Sequence, residues 1–170
     1  MHHDGRTDVT IMIVNWNTRS LLERCLSSIK RGVEGLAAQV LVVDNGSKDG
    51  SAELVASRFP EVELVRNQEN AGFARANNQA FALARGRYVL LLNPDTELRR
   101  DAVTQMVRFL DADARRAGAT AVLRNPDGTL QRYHKRLPRW PFILWSETVL
   151  RNLAPGNRWL REFYMLDEPF

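Results

Sequence analysis

Four apolar residues, Val89 to Leu92, run straight into Asn93-Pro94-Asp95. A run of this kind reads as a buried strand, and the proline forbids further pairing just where an acid appears. A second run, "VLVV" (40–43), ends in Asp44 and the turn "NGSKDGS". A third, "VTIMIV" (9–14), ends in Asn15-Trp16-Asn17, and the segment from Asn67 to Asn78 is asparagine-rich. Ionised carboxylates are strong acceptors and asparagines both donate and accept, so these groups suit the binding of a polar ligand. Each also has a plain structural reading. Asp44 can close an Asx-turn, Asp95 can end a strand before a helix, and paired asparagines can be ordinary helix polarity.

The elements that would position these groups are legible from periodicity. Strands are expected at 9–14, 40–44, 62–65, 87–92 ("RYVLLL") and 119–123 ("ATAVL"). Between them, Leu21, Leu22, Cys25, Leu26 and Ile29 recur with helical spacing, with Asn17 or Thr18 as the cap and Gly32 as the stop. Further helices are expected near 51–58, over 72–85 with Gly86 as the stop, and after Asp101, where Val103, Met106, Val107 and Leu110 share a face. "NPDGTLQ" (125–131) reads as a hairpin turn. Alternating strands and helices predict an α/β fold with a mostly parallel sheet covered on both faces. Right-handed crossovers then gather all four polar clusters on the rim formed by the C-terminal strand ends.

Composition is that of a soluble globular protein: 44% hydrophobic and 26% charged residues in 170. That length suits one core, and the apolar runs are too short to span a bilayer. The lone Cys25 excludes an internal disulfide and reads as a small buried hydrophobe. Net charge is +4, and the excess is uneven: Arg132 to Arg161 holds seven basic residues against the single acid Glu147. Tyr133, Trp140, Phe142, Trp145 and Trp159 are interleaved there, and an amphipathic helix is expected at roughly 141–153. Nothing on this stretch resembles a nucleic-acid recognition motif.

Common nucleotide sites are disfavoured. The turn after the first strand, "NWNTRS", has no glycine to admit a pyrophosphate, and no phosphate-cradling G-x-x-x-x-G-K-[ST] occurs. Five segments in order, "IVNWNTRSLLERCLSSI", "VVDNGSKDGS", "NAGFARANNQA", "LLLNPDTEL" and "LRNPDGTLQR", instead resemble the inverting nucleotide-sugar glycosyltransferases of the GT-A fold, most closely the rhamnosyltransferase-like members. The resemblance covers most of residues 9–132. It implies a nucleotide-sugar-binding domain over 8–131, with 132–170 as a basic aromatic appendage. It places Val14, Asn15 and Asn17 along the nucleotide base and Asp44 on the base or ribose. Gly72, Asn77 and Asn78 would line the donor pocket. Asn93 and Asp95 would match the family's Asn-x-Asp form of its metal motif, with Asp95 as the ligand of Mg²⁺ or Mn²⁺ and Asn93 as a supporting group.

The same resemblance implies a nucleoside diphosphate sugar as donor, dTDP-linked rhamnose first and UDP-hexoses second, and a cell-envelope or lipid-linked acceptor. The family's catalytic base falls on a segment beyond Phe170, and Glu162, Asp167 and Glu168 read as connector residues, so no catalytic residue is assigned. Two classes therefore stand: a metal-dependent inverting transferase, or a truncated donor-binding module. The basic tail suits either peripheral contact with the cytoplasmic membrane face through 138–161 or packing on another surface. A homodimer is expected, in a cytoplasmic setting.

Overall fold

The computed structural model describes residues 6–131 together with Arg158 and Arg161. The chain divides into two units, Met1–Ala121 and Val122–Phe170. In the first, the element order is β1 (Val9–Asn15), α1 (Arg19–Gly32), β2 (Ala38–Asp44), α2 (Ser51–Arg58), β3 (Glu63–Arg66), α3 (Phe73–Leu83), β4 (Tyr88–Leu91) and α4 (Ala102–Asp111). The four strands form one parallel sheet in the order β3-β2-β1-β4. After β1 the chain steps outward to β2 and β3, then returns to the other side of β1 for β4. Strand order thus reverses between β1 and β4, and in open sheets of this kind ligands bind at the C-terminal edge beside such a reversal.

Side-chain alternation explains the two layers. Val9, Ile11 and Ile13 of β1 face one way and join Leu22, Cys25, Leu26 and Ile29 of α1, Val55 of α2, and Val103 and Val107 of α4. Met12 faces the other way and meets Leu41, Val43 and the small residues Ala76 and Ala80 of α3. Each large side chain buried in the first layer contributes about 1.5–3 kcal/mol by leaving water. Cys25 is buried here as a hydrophobe, and burial, followed by the nearby Asp95 and Glu97 charges, pushes its thiol up to about 12.

Four sequence-based expectations are corrected. No strand forms over 119–123; the isolated antiparallel bridge Arg124–Leu130 lies just beyond it. The second unit's hairpin uses its hydrogen bonds locally, Asn125 N–H to Thr129 O (2.9 Å) and Gln131 N–H to Leu123 O (2.9 Å). Second, β4 is not buried on both faces: Val89 and Leu91 are 38% and 60% exposed. They pair with Thr10 and Met12 at the edge of the described sheet, and α3 covers β1 and β2 instead. Third, the helix expected over 72–85 ends at Leu83. Fourth, Gly86 lies three residues past the end of α3, whereas α1 does end at Gly32 as expected; both glycines are also close-packing sites. A Cβ on Gly32 would lie 2.8 Å from Leu98 Cβ, and one on Gly86 would lie 2.3 Å from Thr10 N. The amphipathic helix expected at 141–153 and the membrane-contact segment 138–161 lie outside the described residues, except that Arg158 and Arg161 are helical and exposed. Among the described residues no helix is long and apolar enough to cross a membrane.

Helix capping also differs from expectation. Thr18 and Asp101 occupy N-cap positions, yet neither makes a side-chain cap bond. Asp49 does the work for two helices. Its carboxylate accepts from Arg19 N–H (2.8 Å) at the start of α1 and from Ser51 N–H (3.0 Å) at the start of α2. Partial burial pushes this carboxyl up, but the hydrogen bonds from the Ser51 hydroxyl and the Arg19 and Ser51 amides prevail and hold it below its usual value. Replacing Asp49 with Ala should therefore cost about 1–2 kcal/mol in urea unfolding at neutral pH. Because the folded-state pKa is depressed, that contribution is present above the unfolded value, about 3.9, and is lost as pH falls through the folded value. The gap between parent and Asp49→Ala should close in acid; a gap that persists there would contradict the capping role. Gly86→Ala should destabilise by about 3 kcal/mol, since backbone atoms on both sides of the added methyl must move.

Candidate active site at the sheet rim

The register places Asn15 opposite Asp44 at the last step of the β1–β2 pairing. Asn15 Nδ2 donates to Asp44 Oδ1 (2.8 Å) and to Ser47 Oγ (3.1 Å). Asp44 is only 3% exposed, and its second oxygen accepts from Ser47 N–H (3.0 Å). Thr18 Oγ1 donates to Asn15 Oδ1 (2.6 Å), so that buried amide uses both its ends. A buried carboxylate without such partners would be strongly penalised; here each oxygen has a donor, and each retains a lone pair. The Asx-type turn is therefore realised. Among the described residues no buried side-chain nitrogen or oxygen lacks a hydrogen-bond partner.

Asn17 follows in the left-handed region (φ 52°), a conformation that asparagine tolerates. Its Oδ1 accepts from Lys48 N–H (2.8 Å) and its own N–H donates to Ser47 Oγ (2.9 Å). The loops after β1 and β2 are thus stitched into one surface, with Trp16 standing 55% exposed upon it. Val14 is half-buried against the α3-side core.

Sequence reasoning placed Asn45 in the turn after the second strand and Asn67 in a polar cluster without saying what either meets, and it passed over Gln79. Asn45 is 2% exposed. Its Nδ2 donates to Asn70 Oδ1 (2.7 Å), and its Oδ1 accepts from Asn67 Nδ2 (3.0 Å) and Ala71 N–H (3.0 Å). Asn67 and Gln79 exchange two bonds (2.9 and 3.1 Å) and so tie the segment to α3. Gly46 lets the backbone of Glu69 approach; a Cβ there would come within 2.9 Å of it. The signal was present as a density of asparagines, but single-residue turn chemistry does not say which amides meet.

At the mouth of α3, Gly72 has φ 82° and an added Cβ would meet nothing within 4 Å. Open space therefore lies over the helix start, whose first N–H groups and positive dipole end favour anions. Asn77 Nδ2 is used on Phe73 O (2.9 Å), while Asn78 is exposed. The helical spacing turns the two asparagines in different directions.

On the other side of the switch point, Leu92 N–H continues the sheet pairing to Met12 O (2.9 Å) and the chain then turns, with Thr96 N–H donating to Asn93 O (3.1 Å). Asn93 and Asp95 are exposed, and among the described residues the Asp95 carboxylate meets only the Thr96 hydroxyl, at 3.4 Å. Among the described residues no three His, Cys, Asp or Glu side chains gather as a metal cage. A lone exposed carboxylate fits a hard cation that draws its remaining oxygens from a diphosphate and water, as Mg²⁺ and Mn²⁺ commonly do. It does not fit a stand-alone protein site. The structure thus brings Asn15, Asn17 and Asp44 into one network, and sets Asn93 and Asp95 across the strand-order reversal from it.

Comparison with known proteins bears on what this rim does. The family model "Glycosyl transferase family 2" matches residues 10–162. The succinoglycan biosynthesis protein ExoO of Rhizobium meliloti is 33% identical over 125 residues, which cover 73% of this chain and 34% of ExoO. The N-acetylglucosaminyl-diphospho-decaprenol L-rhamnosyltransferase of Mycobacterium tuberculosis is 30% identical over 181 residues, covering 89% of this chain and 58% of that protein. The chain thus spans about a third to three-fifths of these relatives. Among solved structures, the mannosyltransferase PcManGT from Pyrobaculum calidifontis, in complex with GDP-Man and Mn²⁺, is 29% identical with a TM-score of 0.60 over 73% of this chain and 37% of its own. S. aureus TarS 1-349 shares the fold, with a TM-score of 0.56 at 19% identity over 62% of this chain and 32% of its own. The parallel sheet is that of the GT-A glycosyltransferases, and the chain belongs to glycosyl transferase family 2.

Proposed function

We propose that this chain binds a nucleoside diphosphate sugar across the β1–β4 switch point and forms the donor side of an inverting, metal-dependent glycosyltransferase. The observation that carries the reading is the exposed Asp95 carboxylate on a held turn, set at the strand-order reversal beside the Asn15–Asp44 rim. PcManGT, whose structure holds GDP-Man and Mn²⁺, supports the same pairing of nucleotide and cation. Val14, Asn15 and Asn17 lie along the base, and the remaining lone pairs of Asp44 accept from the base imide or ribose hydroxyls. The segment from Gly72 through Asn77 and Asn78 lines the pocket, and the N-terminus of α3 offers its dipole to phosphate. Asp95 would hold Mg²⁺ or Mn²⁺, and Asn93 would support it. Such a cation, when bound, offsets the negative charge that develops on the departing nucleoside diphosphate.

The transfer forms a bond between an acceptor oxygen and the anomeric carbon while the bond to the diphosphate breaks on the opposite face. The acceptor's proton passes to a base that we assign to no described residue. The relative named as an N-acetylglucosaminyl-diphospho-decaprenol L-rhamnosyltransferase favours rhamnose as the sugar and a lipid-linked acceptor, with dTDP as the carrier that the sequence resemblance implies. The basic, aromatic segment 138–161 suits such an acceptor at the inner membrane face, and self-association as a dimer accompanies this reading.

The test is titration calorimetry of dTDP and UDP with and without Mn²⁺. In the parent, Mn²⁺ should tighten nucleotide binding at least about tenfold; in Asp95→Asn, which keeps the shape of an exposed side chain, that gain should vanish while metal-free affinity stays the same. An Asp95→Asn protein with the parent's full Mn²⁺ gain would remove the reading. Binding without sugar transfer would leave a donor-binding module in place of an enzyme.

A further inference from the structure

The segment after β4 does not merely project from the sheet edge; α1 holds it along its length. Ser28 is 1% exposed, and its Oγ accepts from Leu98 N–H (2.8 Å) while donating to Cys25 O (2.6 Å). Arg31 Nε donates to Leu98 O (2.9 Å), so one residue of the segment is fixed at both its amide and its carbonyl. Gly32 lies flush against Leu98, with no room for a Cβ, and the Leu98 side chain is itself buried. Arg31 O accepts from Asp101 N–H (3.1 Å) further along. At the upstream end, the Cys25 thiol reaches Asn93 O (3.6 Å), the carbonyl that also closes the Asn93–Thr96 turn. Arg24 Nε pairs with Glu97 (3.1 Å), an exposed contact that adds little. Asp95 sits between these two points of attachment with its carboxylate free.

We propose that Ser28, seconded by Arg31, is a positioning residue for the Asp95 turn: a strap from α1 that sets where the carboxylate stands, and through it the strength with which cation and nucleotide bind together. The proposal rests on the reading of Asp95 given above. Neither Ser28 nor Arg31 is expected to touch the ligand. Their action is on the backbone, as partners that orient a metal ligand act from behind it. A merely structural residue would lower stability and affect nucleotide binding with and without metal alike. A positioning residue changes the coupling between the two, because only the metal-bound complex depends on where one carboxylate stands.

The experiment uses the 170-residue chain and measures dTDP and UDP affinity with and without Mn²⁺, together with Mn²⁺ binding by electron paramagnetic resonance. Ser28→Ala should weaken the Mn²⁺-dependent gain about tenfold, leave metal-free affinity within twofold of the parent, and speed hydrogen exchange at the Leu98 amide. Arg31→Ala, at a more exposed position, should do the same to a smaller extent. Ser27→Ala, next to Ser28 but bonded only within α1 to Glu23 O, should match the parent. Folded Ser28→Ala with an unchanged gain, or with equal losses in the presence and absence of metal, overturns the proposal. Should Ser28→Ala fail to fold, Arg31→Ala decides by the same criterion. If Asp95→Asn loses the gain and both strap variants keep it, only the strap falls; if Asp95→Asn keeps it, the Asp95 reading falls and the strap's role goes with it.

Discussion

The last paired step of β1 and β2 is a buried amide facing a buried carboxylate, and the polar rim is built outward from that contact. Asn15 and Asp44 are adjacent only because the two strands are parallel and in register. A slip of one strand by one residue would turn its side chain to the opposite face and leave Asp44 without its donor. Register is thus enforced from two directions: by the apolar faces packed on each side of the sheet, and by the cost of an unpaired carboxylate at its end. Once that contact is set, Ser47 and Thr18 attach to it, and the loops after the two strands have little freedom left.

A second amide extends the same logic to the loop before α3. Asn45 continues the chain from Asp44, and its three side-chain bonds reach Asn67, Asn70 and Ala71. Asparagine suits this place because it carries a donor and an acceptor on separate atoms; an ionised aspartate has no donor, and a serine hydroxyl offers both only through a single oxygen. The result is a polar surface whose parts are bonded mainly to one another, with backbone N–H groups at the α3 start, the remaining lone pairs of Asp44 and the Asp95 carboxylate as the groups left for an outside partner. Fully satisfied networks of this type are rigid, and rigidity at a binding rim reduces the ordering that a ligand must impose.

What the sequence disclosed follows from where its signals were local. The buried strands of β1 and β2, the helical spacing of Leu22, Cys25, Leu26 and Ile29, and the turn around Asp44 can all be read from neighbours a few residues apart. The carboxylate of Asp95 could likewise be placed at a strand exit from "LLLNPD". Expectations failed where the deciding contact was distant. Val89 and Leu91 look buried because they are apolar, but exposure depends on whether α3 lies over β4, and it lies over β1 and β2. Gly32 does end α1, but its close packing on Leu98 cannot be read locally, and Thr18 looks like the cap of α1 although Asp49 supplies that bond from the loop after β2. The segment 119–123 has strand composition without a strand partner among the described residues. Ser28 gave no signal at all, since a serine on the buried stripe of an amphipathic helix is uninformative until its acceptor is matched to an amide far along the chain.

These contacts set the two rim carboxylates apart. Asp44, despite its charge, is held on both oxygens and buried, whereas Asp95 is exposed and nearly without partners on a backbone anchored both before and after it. A carboxylate tied into a network resists movement but has less to offer a cation. A free carboxylate on a loose turn has more to offer but must be ordered on binding, at a cost of order 1–2 kcal/mol for each residue fixed. A free side chain on a held turn avoids both penalties. That combination suits a cation that arrives with its nucleotide and takes most of its oxygens from it, because the protein then needs to contribute position more than charge.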